Sequence, residues 1–297
     1  MTGILNVYKP KGMTSHDVVS FIRRQLKMKR IGHTGTLDPD ATGVLPVLVG
    51  NATKLSDFVM ADEKAYKARV ILGITTTTDD LSGEIVEKKP VDVEEKQILE
   101  AVEKFVGEIE QIPPMYSAIK VDGQKLYQLA RRGVEIERKP RKVTVHSIEI
   151  SNFDGTSFDM EVRCGKGTYI RALCRDIGSA LGTGAAMGDL ERTKSGVFTK
   201  ENSYTLEEIE KCVESGEIEK LLIPPDDVLG DFLRVDVTED YAQKIKNGIR
   251  LRPVQLGIKN YSENEIFKIY EDNKLLCLLK VKNCDGHLLL AMEKSFY

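Results

Sequence analysis

The run Gly32 to Gly43, GHTGTLDPDATG, holds the densest concentration of small, polar and turn-forming residues in the chain. Its glycines open the backbone to close approach by a sugar or a nucleic-acid strand. Asp38, at the middle, supplies one carboxylate that could attack or deprotonate a sugar carbon. A plainer reading stands beside it: Asp-Pro initiates turns, and Asp38 could simply accept backbone hydrogen bonds. Asp40, two residues on in the same turn, reads as a surface residue rather than a second catalyst. Other chemistries fail on spacing. Gly165-Lys166 has Met160 where a phosphate loop needs glycine, and Ile170 takes the third glycine position of a dinucleotide fingerprint. There is no GxSxG elbow, and His16, His33, His146 and His287 offer no triad. The five cysteines, an odd number without CxxC spacing, read as free thiols. Cys284 and His287 lack a second ligand pair, so neither a metal nor any other cofactor is expected.

The elements that must position this loop can be read on either side of it. Gly3 to Tyr8 reads as a strand, and Ser15 opens a helix with Val18, Val19, Ile22 and Leu26 at helical spacing. Lys29 to Asn51 reads as loop, broken by Pro39 and Pro46. Lys64 to Gly73 is expected as a strand. A helix should start at Asp92 with the capping pattern Asp92-x-x-Glu95 and close at Gly107. A turn at Asp122-Gly123 and a helix from Lys125 to Arg132 follow. Val143 to Phe153 and Ser157 to Cys164 form a hairpin at Asp154-Gly155, with Phe158, Met160, Val162 and Cys164 alternating. The helix Thr168 to Leu181 buries Ile170, Leu173, Cys174 and Ile177, leaves Arg171 and Arg175 on another face, and ends in a Gly-rich turn at 182–188. Beyond Gly230 the texture changes to short strands near 232–237, 265–270, 275–281 and 287–293, with one helix near 239–246.

The chain is long enough, at 297 residues, for about two domains with substantial cores. Its longest apolar runs, around Val44–Val49 and Leu275–Leu279, fall far short of the roughly 20 residues of a membrane helix. The N-terminus has no secretory pattern, so a cytoplasmic protein is expected. The net charge of −3 hides an asymmetry. Residues 115–175 carry twelve basic and seven acidic side chains, whereas 79–110 carry eleven acidic and four basic. A basic working face with an acidic back would give this pattern, as would ordinary solvated surface.

Five segments in order make a more specific statement: NVYKPKGMTS, GHTGTLDPDATGVLPV, KAYKARVILG, QIPPMYSAIKVDGQKLYQLARRG and CGKGTYIRALCRDIG. From about Ile4 to about Phe198 the chain closely resembles the bacterial TruB family of tRNA pseudouridine-55 synthases. The resemblance implies an α+β fold. A pseudouridine synthase core (1–229), with a mixed, mainly antiparallel central sheet flanked by helices, would carry an RNA-gripping insertion at about 114–142. A small β-barrel-like PUA-type RNA-binding module would follow (230–297). The reaction implied is isomerisation of the T-loop uridine at position 55. The base is flipped out, its glycosidic C–N bond is cut, and the uracil turns and is rejoined through C5.

Residue by residue, Asp38 matches the family's catalytic aspartate, acting either at C1′ as nucleophile or at C2′ as base. Arg171 matches the arginine that pairs with it and should lower its pKa. Tyr66 and Tyr169 match the aromatics lining the uracil pocket, and Leu190 its apolar floor. His33 matches the histidine that fills the space vacated by the flipped base, and Lys11 a basic residue near the site. The partner implied is the T-stem-loop of tRNA, bound with a steep salt dependence. No guide RNA and no membrane are expected, and the protein should be a monomer. Two alternatives stay open: a tRNA-folding chaperone in which catalysis is secondary, and a guide-RNA-dependent synthase.

Overall fold

A computed structural model describes residues 1–59, 63–121, 123–230 and 232–297. The first strand, β1 (Gly3–Lys9), runs into α1 (Ser15–Leu26). The helix starts at a reciprocal cap: Thr14 Oγ1 accepts from Asp17 N–H at 3.0 Å, and Asp17 Oδ2 accepts from Thr14 N–H at 2.9 Å. Then come β2 (Ile31–His33), β3 (Thr42–Val49), the short α2 (Ser56–Val59), β4 (Glu63–Leu72) and the hairpin of β5 (Ile74–Thr76) and β6 (Ile85–Lys88). Next are α3 (Glu95–Glu103), β7 (Gly107–Gln111), β8 (Lys120–Val121), β9 (Gln124–Lys125) and α4 (Leu126–Ala130). The long strands β10 (Arg141–Ser151) and β11 (Ser157–Gly165), helix α5 (Ile170–Ala180), β12 (Ala185–Ser195) and β13 (Phe198–Thr199) complete the sheet. Helix α6 (Leu206–Glu214) leads to the C-terminal elements β14 (Leu233–Asp236), α7 (Glu239–Lys246), β15 (Ile266–Glu271), β16 (Lys274–Cys284) and β17 (His287–Ser295).

The central sheet has the order β1-β3-β12-β4-β11-β10-β7, with β2 on β3 and β13 on β12. Every pairing in it is antiparallel except β3 with β12, which makes the sheet mixed and mainly antiparallel as expected. Helix α5 covers one half, burying Leu173 and Ile177 against Tyr66, Val70, Phe158, Met160 and Val162. Helices α1 and α6 cover β1 and β3 on one face through Val18, Ile22, Leu206 and Ile209 against Leu5, Val7, Leu45 and Val47. The other face of the same two strands, Ile4, Val44 and Leu48, packs with Phe198, Leu229 and Leu278. Leu278 lies on β16, so the four-stranded C-terminal sheet, order β14-β15-β16-β17, shares a core with the central one.

That double burial explains the largest correction to the sequence reading. TGVLPVLV is a strand, not a loop, and it reads as a continuous apolar run because neither face meets water. Pro46 is tolerated because its carbonyl accepts from Thr34 N–H at 3.1 Å, just past the end of β2, so its nitrogen faces the same gap in the ladder.

Other differences are of the same kind. The expected Gly-rich turn at 182–188 is in part β12, whose bulges at Met187/Leu190 and Arg192/Lys194 break the period-two signal. Helix α3 begins at Glu95, where Gln97 Oε1 accepts from the Glu94 N–H at 2.7 Å, and Gly107 starts β7 instead of closing the helix. Helix α4 is shorter than expected, and the turn expected at Asp122-Gly123 involves Asp122, which lies outside the described residues. The insertion leaves the sheet after Gln111 and returns at Arg141, which are register partners.

Candidate active site

Asp38 sits on a loop without regular structure, yet buried polar bonds hold that loop on every side. Ser15 Oγ donates to the Leu37 carbonyl at 3.1 Å and accepts from the Leu37 N–H at 2.9 Å. Lys9, wholly buried, donates to the carbonyls of Pro10 (2.9 Å), Met13 (2.6 Å) and Pro39 (2.9 Å). Burial pulls the Lys9 ammonium down to about 8, against the opposing pull of Asp40 and Asp38. Arg192, buried on β12, donates to Val44 O at 2.7 Å and Gly35 O at 2.8 Å. Gly43 is obligatory there: its φ is +105°, and a Cβ would lie 2.2 Å from the Arg192 carbonyl. None of these bonds touches the carboxylate itself, so they fix the loop and leave Asp38 free to work.

The carboxylate faces Arg171 from the first turn of α5. Arg171 Nε lies 3.1 Å from Asp38 Oδ2, and a second guanidinium nitrogen lies 3.4 Å from Oδ1. The sequence reading puts Arg171 on a face away from the core; the structure leaves it only 6% exposed. Its remaining donors meet Asp80 Oδ2 (3.4 Å), the Thr78 carbonyl (3.2 Å) and the Tyr116 carbonyl (2.8 Å). A buried charge is tolerated only when paired and hydrogen-bonded, and Arg171 is both. Asp80, Arg192, Ser15 and Lys9 escaped the sequence reading, because nothing in local spacing links Asp80 to a residue 91 positions away.

The expected lowering of the Asp38 pKa is not what the structure gives. Burial raises it and is the largest influence; Arg171 pulls it down and Asp80 adds to the rise. The guanidinium divides its charge between two carboxylates, so it does not offset the loss of hydration. The Asp38 side chain nonetheless keeps 41% of its surface open toward a cleft of about 1530 Å³.

The structure brings all seven residues singled out in the sequence to that cleft: Lys11, His33, Asp38, Tyr66, Tyr169, Arg171 and Leu190. Tyr66 on β4 and Tyr169 at the N-cap of α5 flank it, and burial raises both phenols, which stay neutral hydrogen-bonding groups at ordinary pH. Leu190 forms apolar wall beside the β12 bulge. His33 ends β2 with its Nδ1 buried and, among the described residues, without a hydrogen-bond partner; burial and Arg192 lower its pKa and keep the ring neutral. Lys11 lies at the rim, exposed and 2.7 Å from Asp189 Oδ1. The insertion lends Tyr116, Lys125, Tyr127 and Arg131 to the same cleft, with Lys125 and Arg131 both within 6 Å of the Tyr127 ring centre at 5.6 and 5.5 Å.

Such a site can present one oriented carboxylate to a sugar, stack a planar base between tyrosines and grip a polyanion at its rim. Comparison with known proteins points the same way. The TruB family pseudouridylate synthase N-terminal domain matches residues 23–170, and the tRNA pseudouridylate synthase B C-terminal domain matches 171–230. The boundary falls between Tyr169 and Arg171, so the cleft draws on both. The tRNA pseudouridine synthase B of Alkaliphilus oremlandii is 49% identical over 251 residues, 84% of this chain and 83% of its own. That of Clostridium tetani is 42% identical over 279 residues, 94% of this chain and 95% of its own. Among solved structures, a Cbf5-Nop10-Gar1 complex is similar with a TM-score of 0.74 and 28% identity, covering 99% of this chain and 85% of that one. An H/ACA ribonucleoprotein bound to a substrate RNA containing 2′-deoxyuridine gives 0.73 and 27%, with the same coverage.

Proposed function

Because the chain belongs to the TruB family and is a tRNA pseudouridine synthase, we propose that its target is the T-loop uridine at position 55 and that Asp38 carries the chemistry. Uridine and pseudouridine are isomers. The N1–C1′ bond breaks, C5–C1′ forms, the C5 proton leaves and N1 gains one, so the balance requires no redox cofactor. The observation that carries the reading is the Asp38–Arg171 pair at the base of a cleft walled by Tyr66, Tyr169 and Leu190. An ionised carboxylate held there can act at C1′ as nucleophile or at C2′ as base, and Arg171 fixes its direction in either case. Uracil departs as a delocalised anion and stays in the pocket, so the second carboxyl of a glycosidase is not needed.

Flipping the target out of its loop costs a few kcal/mol of unstacking. The neutral ring of His33 is suited to fill the space left behind. Tyr169 and Tyr66 hold the flipped base by contact and hydrogen bonding, Leu190 by its apolar surface, and Lys11 offers a phosphate contact at the rim. Residues 230–297 are read as a PUA-like module adding RNA contacts, the whole acting as a monomer in the cytoplasm. Among the described residues no helix is long and apolar enough to cross a membrane.

Similarity to proteins of H/ACA complexes favours a second reading, in which a guide RNA is required. The higher identity to tRNA pseudouridine synthase B proteins, and an insertion with eight Lys and Arg between Lys120 and Lys142, favour action without a guide. The test is isomerisation of an unmodified tRNA transcript by the protein alone, with every pseudouridine mapped and Asp38→Asn in parallel. A single T-loop product absent in the variant is expected. Tight tRNA binding without product would sink the unguided reading.

A further inference from the structure

The insertion is joined to the cleft through one side chain that has no place in the mechanism above. Gln111 is the last residue of β7 and is 2% exposed. Its backbone pairs in register with Arg141, the residue at which the chain returns from the insertion. Its side-chain amide lies edge to edge with the backbone of Tyr169: Tyr169 N–H donates to Oε1 at 2.9 Å, and Nε2 donates to the Tyr169 carbonyl at 3.1 Å. The amide thus behaves as an additional peptide group, satisfying a donor and an acceptor of a residue that is not in a strand.

Tyr169 caps the N-terminus of α5 without a side-chain cap bond of its own, and Arg171 lies two residues on. Further contacts run from the same helix to the same neck. Arg175 donates to the Ile112 carbonyl at 3.0 Å, and Arg171 to the Tyr116 carbonyl at 2.8 Å.

We propose that Gln111 is a positioning residue for the isomerisation: it holds the Tyr169 backbone, and with it the entry of α5, at the angle that aims the Tyr169 ring and the Arg171 guanidinium at the reacting nucleotide. Three features carry this. The bond is two-sided and buried: loss of the Oε1 half leaves the Tyr169 N–H unpaired, while the Tyr169 carbonyl, which also accepts from Leu173 N–H at 3.0 Å, loses the bond that ties it to β7. It acts on Tyr169, itself part of the pocket wall and two residues before the Asp38 partner. It also starts from the neck of the insertion, so RNA held by the insertion and the base held by the pocket share one anchor. The inference rests on the roles proposed above for Tyr169 and Arg171.

Two variants test it. Gln111→Met keeps the volume and removes both bonds. Gln111→Glu keeps an acceptor for the Tyr169 N–H but can donate to the Tyr169 carbonyl only when protonated. The charged groups acting on Tyr169, Arg141, Arg171 and Asp38, are common to the variant and the parent, so a ratio of the two isolates residue 111. Single-turnover isomerisation of a tRNA transcript and tRNA affinity are measured across pH, with thermal unfolding alongside.

The expected result for Gln111→Met is a rate about ten- to a hundredfold below the parent with tRNA affinity within about twofold, since misplacement by a fraction of an ångström acts on chemistry more than on binding. For Gln111→Glu the rate relative to the parent rises as pH falls, because protonation restores the second bond. Should Gln111→Met fail to fold, the pH profile of the Glu variant decides alone. An unchanged rate, a loss of affinity equal to the loss of rate, or a pH-independent ratio for Gln111→Glu overturns the proposal. A parent protein that forms no pseudouridine would refute the functional reading itself, a separate outcome.

Discussion

The loop that carries Asp38 and the insertion between Gln111 and Arg141 face the same cleft but are built in opposite ways. The loop is irregular yet immobilised, because Lys9, Ser15 and Arg192 reach it from within the core and bond the carbonyls of Pro39, Leu37 and Gly35 and the amide of Leu37. The insertion has more regular structure and far less burial: from Ala118 to Pro140, Leu126 is the one buried residue among those described. Its cations sit at the surface, where charge is hydrated and can be exchanged for phosphate contacts at small cost. A carboxylate that must meet one sugar carbon needs the first arrangement; a grip on a polyanion needs the second.

The contrast can be broken most severely at Asp38. Asp38→Asn should lower isomerisation by more than about a thousandfold while tRNA binding persists. Because burial raises the Asp38 pKa, the ionised group opposes folding at neutral pH, and Arg171 retains Asp80, Thr78 O and Tyr116 O in its absence. Thermal unfolding of the variant should therefore occur at the parent temperature or above it, and a marked fall would contradict this account of the site.

Next in size is the buried Lys9 beneath the loop. Lys9→Met removes the bonds to the Pro10, Met13 and Pro39 carbonyls, of which Pro39 O keeps the Gly12 N–H at 2.9 Å, and should cost about 2–5 kcal/mol of stability, with activity falling alongside it. The sign of its pH dependence is fixed. A lysine depressed to about 8 binds fewer protons folded than unfolded, so its contribution to stability rises as pH goes from about 8 to about 10.5. Denaturant titrations of parent and variant should diverge in that window, and parallel curves would show that Lys9 is not so perturbed.

On the insertion the effect moves from stability to affinity. Lys125→Ala with Arg131→Ala should weaken tRNA binding and reduce the slope of log K against log salt by about one for each phosphate that is no longer neutralised, with unfolding unchanged. Equal losses of binding at low and high salt would argue for a packing role instead.

The pH profile of the parent offers a smaller signal. The single-turnover rate should rise with pH with a midpoint above the ordinary aspartate value of about 3.9. A midpoint below it would mean that the Arg171 charge outweighs burial. The smallest effect is expected at Lys11, whose ion pair with Asp189 is exposed. Lys11→Ala should leave unfolding unaltered and change only the salt-dependent part of binding.

Much of this architecture was legible before the fold. Helix α5 and the β10–β11 hairpin follow from periodicity and a turn dipeptide, and the C-terminal strands from their spacing. Strands β3 and β12 were not legible. One is buried on both faces and carries a proline, and the other holds two bulges and the polar Arg192 and Ser195 in its buried set. In each case the signal that marks a strand is erased by the neighbours that make it central.

By itself the sequence determined the family, the loop bearing Asp38 and the seven residues that meet at the cleft, because motif residues keep their order and spacing along the chain. Only the tertiary structure decided that Arg171 divides its charge between Asp38 and Asp80, that Lys9 spends its ammonium on three carbonyls, and that the Asp38 pKa moves up. Those properties depend on how much water each charge has lost and on which partners stand around it. Packing between segments as far apart as residues 38 and 171 sets both, and spacing along the chain does not encode them.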